Sequence, residues 1–309
     1  MNNKGIKISE TVRFDLQRRA VSHTTSASWQ NIPHVTYIYE PDITDFYDEF
    51  KKLAKARNNL GQKLTFNTMM IKIIVEGLLV AKDLNSYINY NHQKSEGLTY
   101  ILENINVSIP WLLSDGRMIT LTIPNAEKMS LKNISEYISS LSKKIEKTNM
   151  DELFYQLAFA DTVKELKSFH LSIIRRVFAS KITRYRVKGL SGKEKENYYN
   201  IPETERLIEK DVVSGTVTVS NIGSLYKEQK GSLALLEIIP PQVFAIGIGS
   251  VQERPGVIVQ RDGKKEIGVR KILPMCLAFD HRAVDFSSVI PFIKRLDVIF
   301  AEPEVIRKW

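Results

Sequence analysis

The sequence predicts an α/β domain, and three features predict it. Runs rich in β-branched and aromatic residues alternate in polarity over 31–40 and 211–222, which is the period of a strand. Elsewhere apolar residues recur every three or four positions, as at Ile134, Ile138, Leu141 and Ile145, which is the period of a helix. Near the C-terminus the apolar run Ile272 to Phe279 reads as a buried strand, and the run Val289 to Phe300 after it reads as a helix.

A chain of 309 residues suits one large domain with an insertion, and its 43% hydrophobic and 26% charged residues lie near globular averages. The single cysteine, Cys276, sits inside an apolar run and reads as a small core residue rather than a nucleophile. The N-terminus, Met1-Asn2-Asn3-Lys4-Gly5, lacks the apolar segment of a signal peptide. No stretch approaches about 20 apolar residues, so no membrane span is expected and the cytoplasm is the expected compartment. A net charge of +9 favours acidic partners. Nucleic acid is set aside, because there is no zinc-finger spacing, no aromatic ribonucleoprotein motif and no long basic run. A phosphate-bearing small molecule or a small acidic protein domain would also suit that charge.

In chain order, residues 7–30 read as a helix with a basic stripe that includes Arg13, Arg18 and Arg19. Residues 31–40 read as a strand. Asp42 precedes a helical pattern with Phe46, Phe50 and Leu53 on one face. Residues 63–83 read as a deeply buried helix starting near Thr65. Strand-like runs at 98–109 and 117–123 flank Pro110 and the turn Ser114-Asp115-Gly116. A helix opens at Ser130-Leu131 and runs to about Lys147. Residues 150–210 carry Leu166, Phe169, Ile173 and Val177 at helical spacing and then a basic stretch, Arg175 to Lys188, and read as a helical insertion. Residues 211–222 form a strand ending in Ser220-Asn221. Val243 to Val251 is a strand whose Gly247 and Gly249 suggest close backbone approach. They do not form a GxGxxG turn before a helix, so dinucleotide binding is rejected. Val257–Gln260 and Lys265–Ile272 flank Asp262-Gly263 as a hairpin.

The heptapeptide Asp280-His281-Arg282-Ala283-Val284-Asp285-Phe286 stands where the buried strand hands over to the last helix, a place where reactive side chains are held on rigid scaffolding. Taken alone, Asp285 reads equally well as a helix N-cap, and His281 as a satisfied loop histidine. A lone His34 is more often structural than functional, and Ser220 alone is a common strand-end serine.

The heptapeptide resembles the Asp-His-Arg-x-x-Asp-Gly signature of the acyltransferase subunits of 2-oxo acid dehydrogenases, with Phe286 in place of the glycine. Ile32-Pro33-His34-Val35-Thr36, Asn104-Ile105-Asn106-Val107 with Asp115-Gly116, and Ser220-Asn221-Ile222-Gly223 are similar to further blocks of that family, in order along about four fifths of the chain. The resemblance implies a chloramphenicol acetyltransferase-like two-layer sandwich of a mixed sheet and helices. It implies acyl transfer between dihydrolipoamide and coenzyme A, with His281 as general base and Ser220 as donor to the oxyanion. Asp285 would orient the His281 loop through an arginine, with Arg13, Arg18 and Arg19 as candidates. His34, Thr36 and Asn221 are the implied substrate contacts, and no metal is implied. Imidazole, with an ordinary pKa of about 6.5, suits the removal of a thiol proton at neutral pH. A homotrimer, or a higher assembly of trimers, is implied as well.

The chain shows no lipoyl-domain hairpin and no small subunit-binding domain before residue 7, so it reads as one catalytic domain over 1–309, with lipoamide supplied in trans by an acidic carrier domain. Two rivals remain. One is a non-catalytic core or assembly subunit, favoured by Phe286 and the insertion. The other is a free-standing coenzyme A-dependent acyltransferase acting on a small acceptor.

Overall fold

The computed structural model describes residues 7–157, 189–260 and 262–309. The expected helix at Leu166, Phe169, Ile173 and Val177 and the basic stretch Arg175 to Lys188 lie outside the described residues.

The chain divides into two compact units, Met1–Ala27 with Asn149–Asn200, and Ser28–Thr148 with Ile201–Trp309. The helix α1 (Leu16–Asn31), whose residues up to Ala27 belong to the first unit, begins after Asp15, whose carboxylate accepts the Arg18 amide at 2.6 Å. That is an N-cap, and it places the helix start nine residues later than the sequence suggests; residues 7–15 are not helical. A helical stretch at 150–157 buries Glu152, whose carboxylate accepts the Tyr199 hydroxyl and the Leu190 amide, both at 2.7 Å. Tyr199 ends the short helix α5 (Gly192–Tyr199).

The second unit is built on a six-stranded mixed sheet in the order β1-β10-β7-β6-β4-β5. Its strands are β1 (His34–Tyr39), β4 (Val107–Leu112), β5 (Met118–Ile123), β6 (Val217–Asn221), β7 (Phe244–Ile248) and β10 (Met275–Asp280). β6 runs parallel to β4 and β7, and the other neighbours are antiparallel. Every residue of β7 and β10 is buried. Central strands covered on both faces are written as continuous apolar runs, which is why these two were legible.

One face of the sheet carries α3 (Phe66–Val80) and α7 (Phe286–Ala301). Phe244 of β7 meets Phe292 edge to face at 5.4 Å, and the Tyr39 hydroxyl donates to Asp297 at 2.5 Å. Gly77 lets the two helices close up, because a Cβ there would stand 2.6 Å from the Phe292 ring. α3 is capped by Thr65, whose hydroxyl accepts the Thr68 amide at 3.1 Å. Ile32, Leu236 and Ile238 cover Ala245 and Ala278 in a further apolar cluster. This is the sandwich of a mixed sheet and helices that the resemblance implies. Around it stand α2 (Thr44–Asn59), α4 (Leu131–Lys147) and α6 (Lys210–Val213). No described helix is long and apolar enough to cross a membrane.

Two hairpins lie outside the sheet, β2–β3 (Ser86–Asn91 with Glu96–Ile101) and β8–β9 (Gln252–Val259 with Lys265–Ile272). The second was expected. The first was not, because three asparagine or serine residues dilute β2 and all of β3 is exposed, leaving no polar-apolar alternation. The run expected as one strand over 98–109 is therefore two, parted by the Glu103-Asn104 turn region. The strand expected over 211–222 starts at Val217. Asp211 instead turns the chain into α6, accepting the Ile208 amide at 3.0 Å and pairing with Lys144 at 3.2 Å. The last helix begins at Phe286, three residues before its apolar run.

Candidate functional site

β10 ends at Asp280, and the chain turns at once: the amides of Ala283 and Val284 both bond the Asp280 carbonyl. Asp280 is fully buried. Its carboxylate is gripped by the Arg282 guanidinium, Nη2 at 2.6 Å and Nε at 3.0 Å, and also accepts the Arg282 amide at 3.0 Å. The residue between these two partners, His281, is thrown outward with its side chain about half exposed, at 51%.

The hydrogen bonds of His281 fix its chemistry. Nδ1 lies 3.2 Å from the Val284 carbonyl oxygen, which accepts only, and 3.3 Å from an Asp285 carboxylate oxygen. Nδ1 therefore carries a proton, and in the neutral ring Nε2 holds the free lone pair. Phe279 meets the ring edge to face at 5.9 Å. Asp285 occupies the N-cap position of α7, but its side chain makes no cap hydrogen bond. It pairs instead with His281, so the cap reading does not describe what this carboxylate does. Arg13, Arg18 and Arg19 belong to the other unit of the chain.

Phe286 is the first helical residue of α7, and it is not among the described residues with positive φ. The conformation that would require glycine is absent there. Its ring stacks obliquely on Tyr37 at 5.1 Å. Pro291 sits inside α7, the consequence of Asp285 holding the cap position.

Ser220 lies at the end of β6, partly exposed, and its hydroxyl makes no hydrogen bond among the described residues. The backbone beyond it is satisfied by Asn221, which accepts the Ser224 amide at 3.0 Å, and by Ser224, which donates to the Asn221 carbonyl at 2.7 Å. Asn221 also donates to Asn67 at 2.9 Å, and the pair stands at a cavity of about 280 Å³ walled by Ile109, Trp111, Val219 and Leu225. Asn67, at the start of α3, carried no recognisable signal in the sequence, and neither did the Val284 carbonyl, since a backbone acceptor leaves no residue-type mark.

His34 is a satisfied histidine. Its Nε2 accepts the Ile238 amide at 3.1 Å, which forces the proton onto Nδ1 and toward the Ile32 carbonyl at 2.8 Å. It ties β1 to the loop before β7. Thr36, two residues on, pairs with Ala278 and makes no side-chain hydrogen bond among the described residues. Burial pushes the Cys276 thiol up to about 11, which keeps it protonated and matches a core residue.

The sheet register measures the distance between the two main candidates. Ser220 pairs with Gly247, and Gly247 with Cys276, so Ser220 is two strands across from a point five residues before His281. With about 4.8 Å per strand and about 3.4 Å per residue, the backbones at Ser220 and His281 are roughly 20 Å apart. One chain does not bring them to a common reacting atom.

The model for the 2-oxoacid dehydrogenases acyltransferase (catalytic domain) family matches residues 7–153 and 192–307. The chain belongs to that family. It is 23% identical over 296 residues to the dihydrolipoyllysine-residue acetyltransferase component of the pyruvate dehydrogenase complex of Staphylococcus epidermidis, covering 96% of this chain and 52% of that protein. The chain thus spans about half the length of the curated relatives it matches. Among solved structures, the dihydrolipoamide acetyltransferase of Azotobacter vinelandii superposes with a TM-score of 0.66 at 18% identity, covering 99% of this chain and 96% of that one. The cubic core of a pyruvate dehydrogenase multienzyme complex does so with a TM-score of 0.64 at 18% identity over the same shares. These likenesses establish the fold.

Proposed function

We propose that this protein is a coenzyme A-dependent acyltransferase that exchanges an acyl group between coenzyme A and a dihydrolipoamide carried by an acidic lipoyl domain, in an active site shared by two copies of the chain. The observation that carries this reading is the state of His281: exposed, with its Nδ1 proton committed and Nε2 free to accept another.

The chemistry follows from that geometry. His281 Nε2 takes the proton of the coenzyme A thiol, and the thiolate attacks the thioester carbonyl carbon of the acylated dihydrolipoamide. The carbon–sulfur bond to coenzyme A forms and the carbonyl becomes an oxyanion, which Ser220 Oγ–H stabilises. Collapse breaks the bond to the dihydrolipoyl sulfur, and His281 returns the proton to that leaving thiolate. Asp285 keeps the imidazole oriented and offsets its positive charge. In the Azotobacter vinelandii acetyltransferase a serine, a histidine and an asparagine four positions beyond that histidine have been investigated for roles in the catalytic mechanism. Here Ser220, His281 and, at the same spacing, Asp285 would take those places.

The separation of about 20 Å between His281 and Ser220 supports a site completed between copies, His281 from one and Ser220 from the next. A homotrimer satisfies this with three equivalent sites. Asn221 and the cavity of about 280 Å³ beside it offer a place for an extended thioester arm. The reading as a non-catalytic subunit loses the support it drew from Phe286, which sits in ordinary helical backbone with His281 intact beside it.

A spectrophotometric assay of acyl exchange between acetyl-coenzyme A and dihydrolipoamide tests the proposal, run with free dihydrolipoamide and with a lipoylated acidic domain over a range of ionic strength. The net charge of +9 predicts that the domain is the better substrate at low salt and loses that advantage as salt rises. Absence of turnover with either would overturn the assignment. Equal kcat/KM for both at low salt would favour a small free acceptor.

A further inference from the structure

We infer that Tyr90, on the β2–β3 hairpin, is a positioning residue for the catalytic histidine, acting through Arg282. The inference rests on the acyltransferase reading only for its kinetic consequence, since the clamp itself is a structural arrangement.

His281 is held between two residues that hold each other. The Asp280 carboxylate is wholly buried and paired with the Arg282 guanidinium, and losing a buried partner is far costlier than losing an exposed one. Asp280 engages Nε and Nη2 of the guanidinium. The Tyr90 ring also covers it, with the guanidinium carbon 5.4 Å from the ring centroid, inside the range of a cation–π contact. His92, meeting Tyr90 edge to face at 5.0 Å, brings its Nε2 to 3.5 Å from Arg282 Nη1. Tyr90 is in turn seated by the residue paired opposite it. Gly97 has no Cβ, and one added there would lie 3.0 Å from the Tyr90 ring.

The aromatic face excludes water from the guanidinium, which strengthens its bond to Asp280, since interaction between charges rises as the local dielectric falls. The turn amides at 282, 283 and 284 all bond to Asp280, so the same clamp fixes the Val284 carbonyl that orients His281 Nδ1. A hairpin distant in sequence thereby sets the aim of Nε2 without touching substrate.

Three variants and two readouts test this: Tyr90→Leu, which removes the aromatic face; Tyr90→Phe, which keeps it; and Gly97→Ala, which crowds the ring without deleting it. In Tyr90→Leu, amide hydrogen exchange at 282–284 accelerates about 3- to 30-fold, the range a cation–π contact of this kind covers, while exchange in β7 is unchanged. kcat for acyl exchange falls by a similar factor with KM for coenzyme A within about twofold, because only orientation in the transition state is lost. Tyr90→Phe matches the wild type in both readouts, and Gly97→Ala lies between. Wild-type exchange at 282–284 in both Tyr90→Leu and Gly97→Ala would overturn the clamp. So would a Tyr90→Phe variant as impaired as Tyr90→Leu, since that would assign the effect to the hydroxyl. The exchange measurement needs no turnover, so it decides the clamp even where the acyl-transfer assay fails.

Discussion

His281 Nδ1 lies 3.2 Å from the carbonyl oxygen of Val284, three residues on, and this one contact decides which ring nitrogen keeps its lone pair. A carbonyl cannot donate, so the proton sits on Nδ1 and the lone pair is on Nε2. The Asp285 carboxylate at 3.3 Å reinforces the choice.

His281→Ala should therefore lower kcat by roughly 10²–10⁴, the usual effect of losing a general base, with no loss of fold, because the side chain is exposed. Steady-state kinetics beside a thermal melt checks this. Turnover within tenfold of wild type would remove His281 from the mechanism.

Ser220→Ala should cost about 10²–10³ in kcat, the effect of deleting one oxyanion donor. Its hydroxyl supports no other group in the described structure, so the melting temperature should hold. A change confined to KM would make Ser220 a ground-state contact instead.

Phe286→Gly should restore the signature residue yet weaken the protein. It deletes the ring contact with Tyr37 and places glycine in the first turn of α7. Together these amount to about 1–2 kcal/mol, with kcat within a few-fold of wild type. Denaturant titration measures the first and the acyl-exchange assay the second. A large gain in kcat would show that Phe286 obstructs the site.

The β8–β9 hairpin is tied down by Arg270, which bonds Asp42 at 2.5 Å. Burial by itself would raise the Asp42 carboxyl, but the hydrogen bonds from Arg270 and Thr44 outweigh it and hold the group below its ordinary range. A folded-state value below the unfolded one, about 3.9, means the pair stabilises the fold above that pH and the contribution is lost as pH falls through the folded value. Arg270→Gln should thus narrow the stability difference between pH 6 and pH 3, read from denaturant midpoints. An unchanged difference would remove the pair from the acid response.

Much of this was legible in the sequence because it is written in residue types. The buried strands β7 and β10 are unbroken apolar runs, and the helix at Leu131–Lys147 repeats isoleucine and leucine on one face behind the cap at Ser130. The heptapeptide marked the turn on which His281 stands exposed. What stayed hidden is written in backbone or in distance. The acceptor that sets the tautomer is a carbonyl. The β2–β3 hairpin that braces Arg282 has no alternation to read. The gap between Ser220 and His281 depends on a register that only the folded sheet displays. His34 shows the reverse case: a histidine within a family-like segment, whose ring nitrogens are both engaged by the neighbouring backbone.

The shared site is the central claim, and complementation between inactive chains tests it most directly. Co-expressed His281→Ala and Ser220→Ala chains, mixed at random in a trimer, should form one intact site wherever an Ser220→Ala chain lends His281 to a His281→Ala neighbour that lends Ser220. That occurs at about a quarter of the sites, so the mixture should recover about a quarter of wild-type kcat per site while each parent alone stays near zero. A mixture that assembles normally yet is no more active than either parent would contradict a site built from two chains.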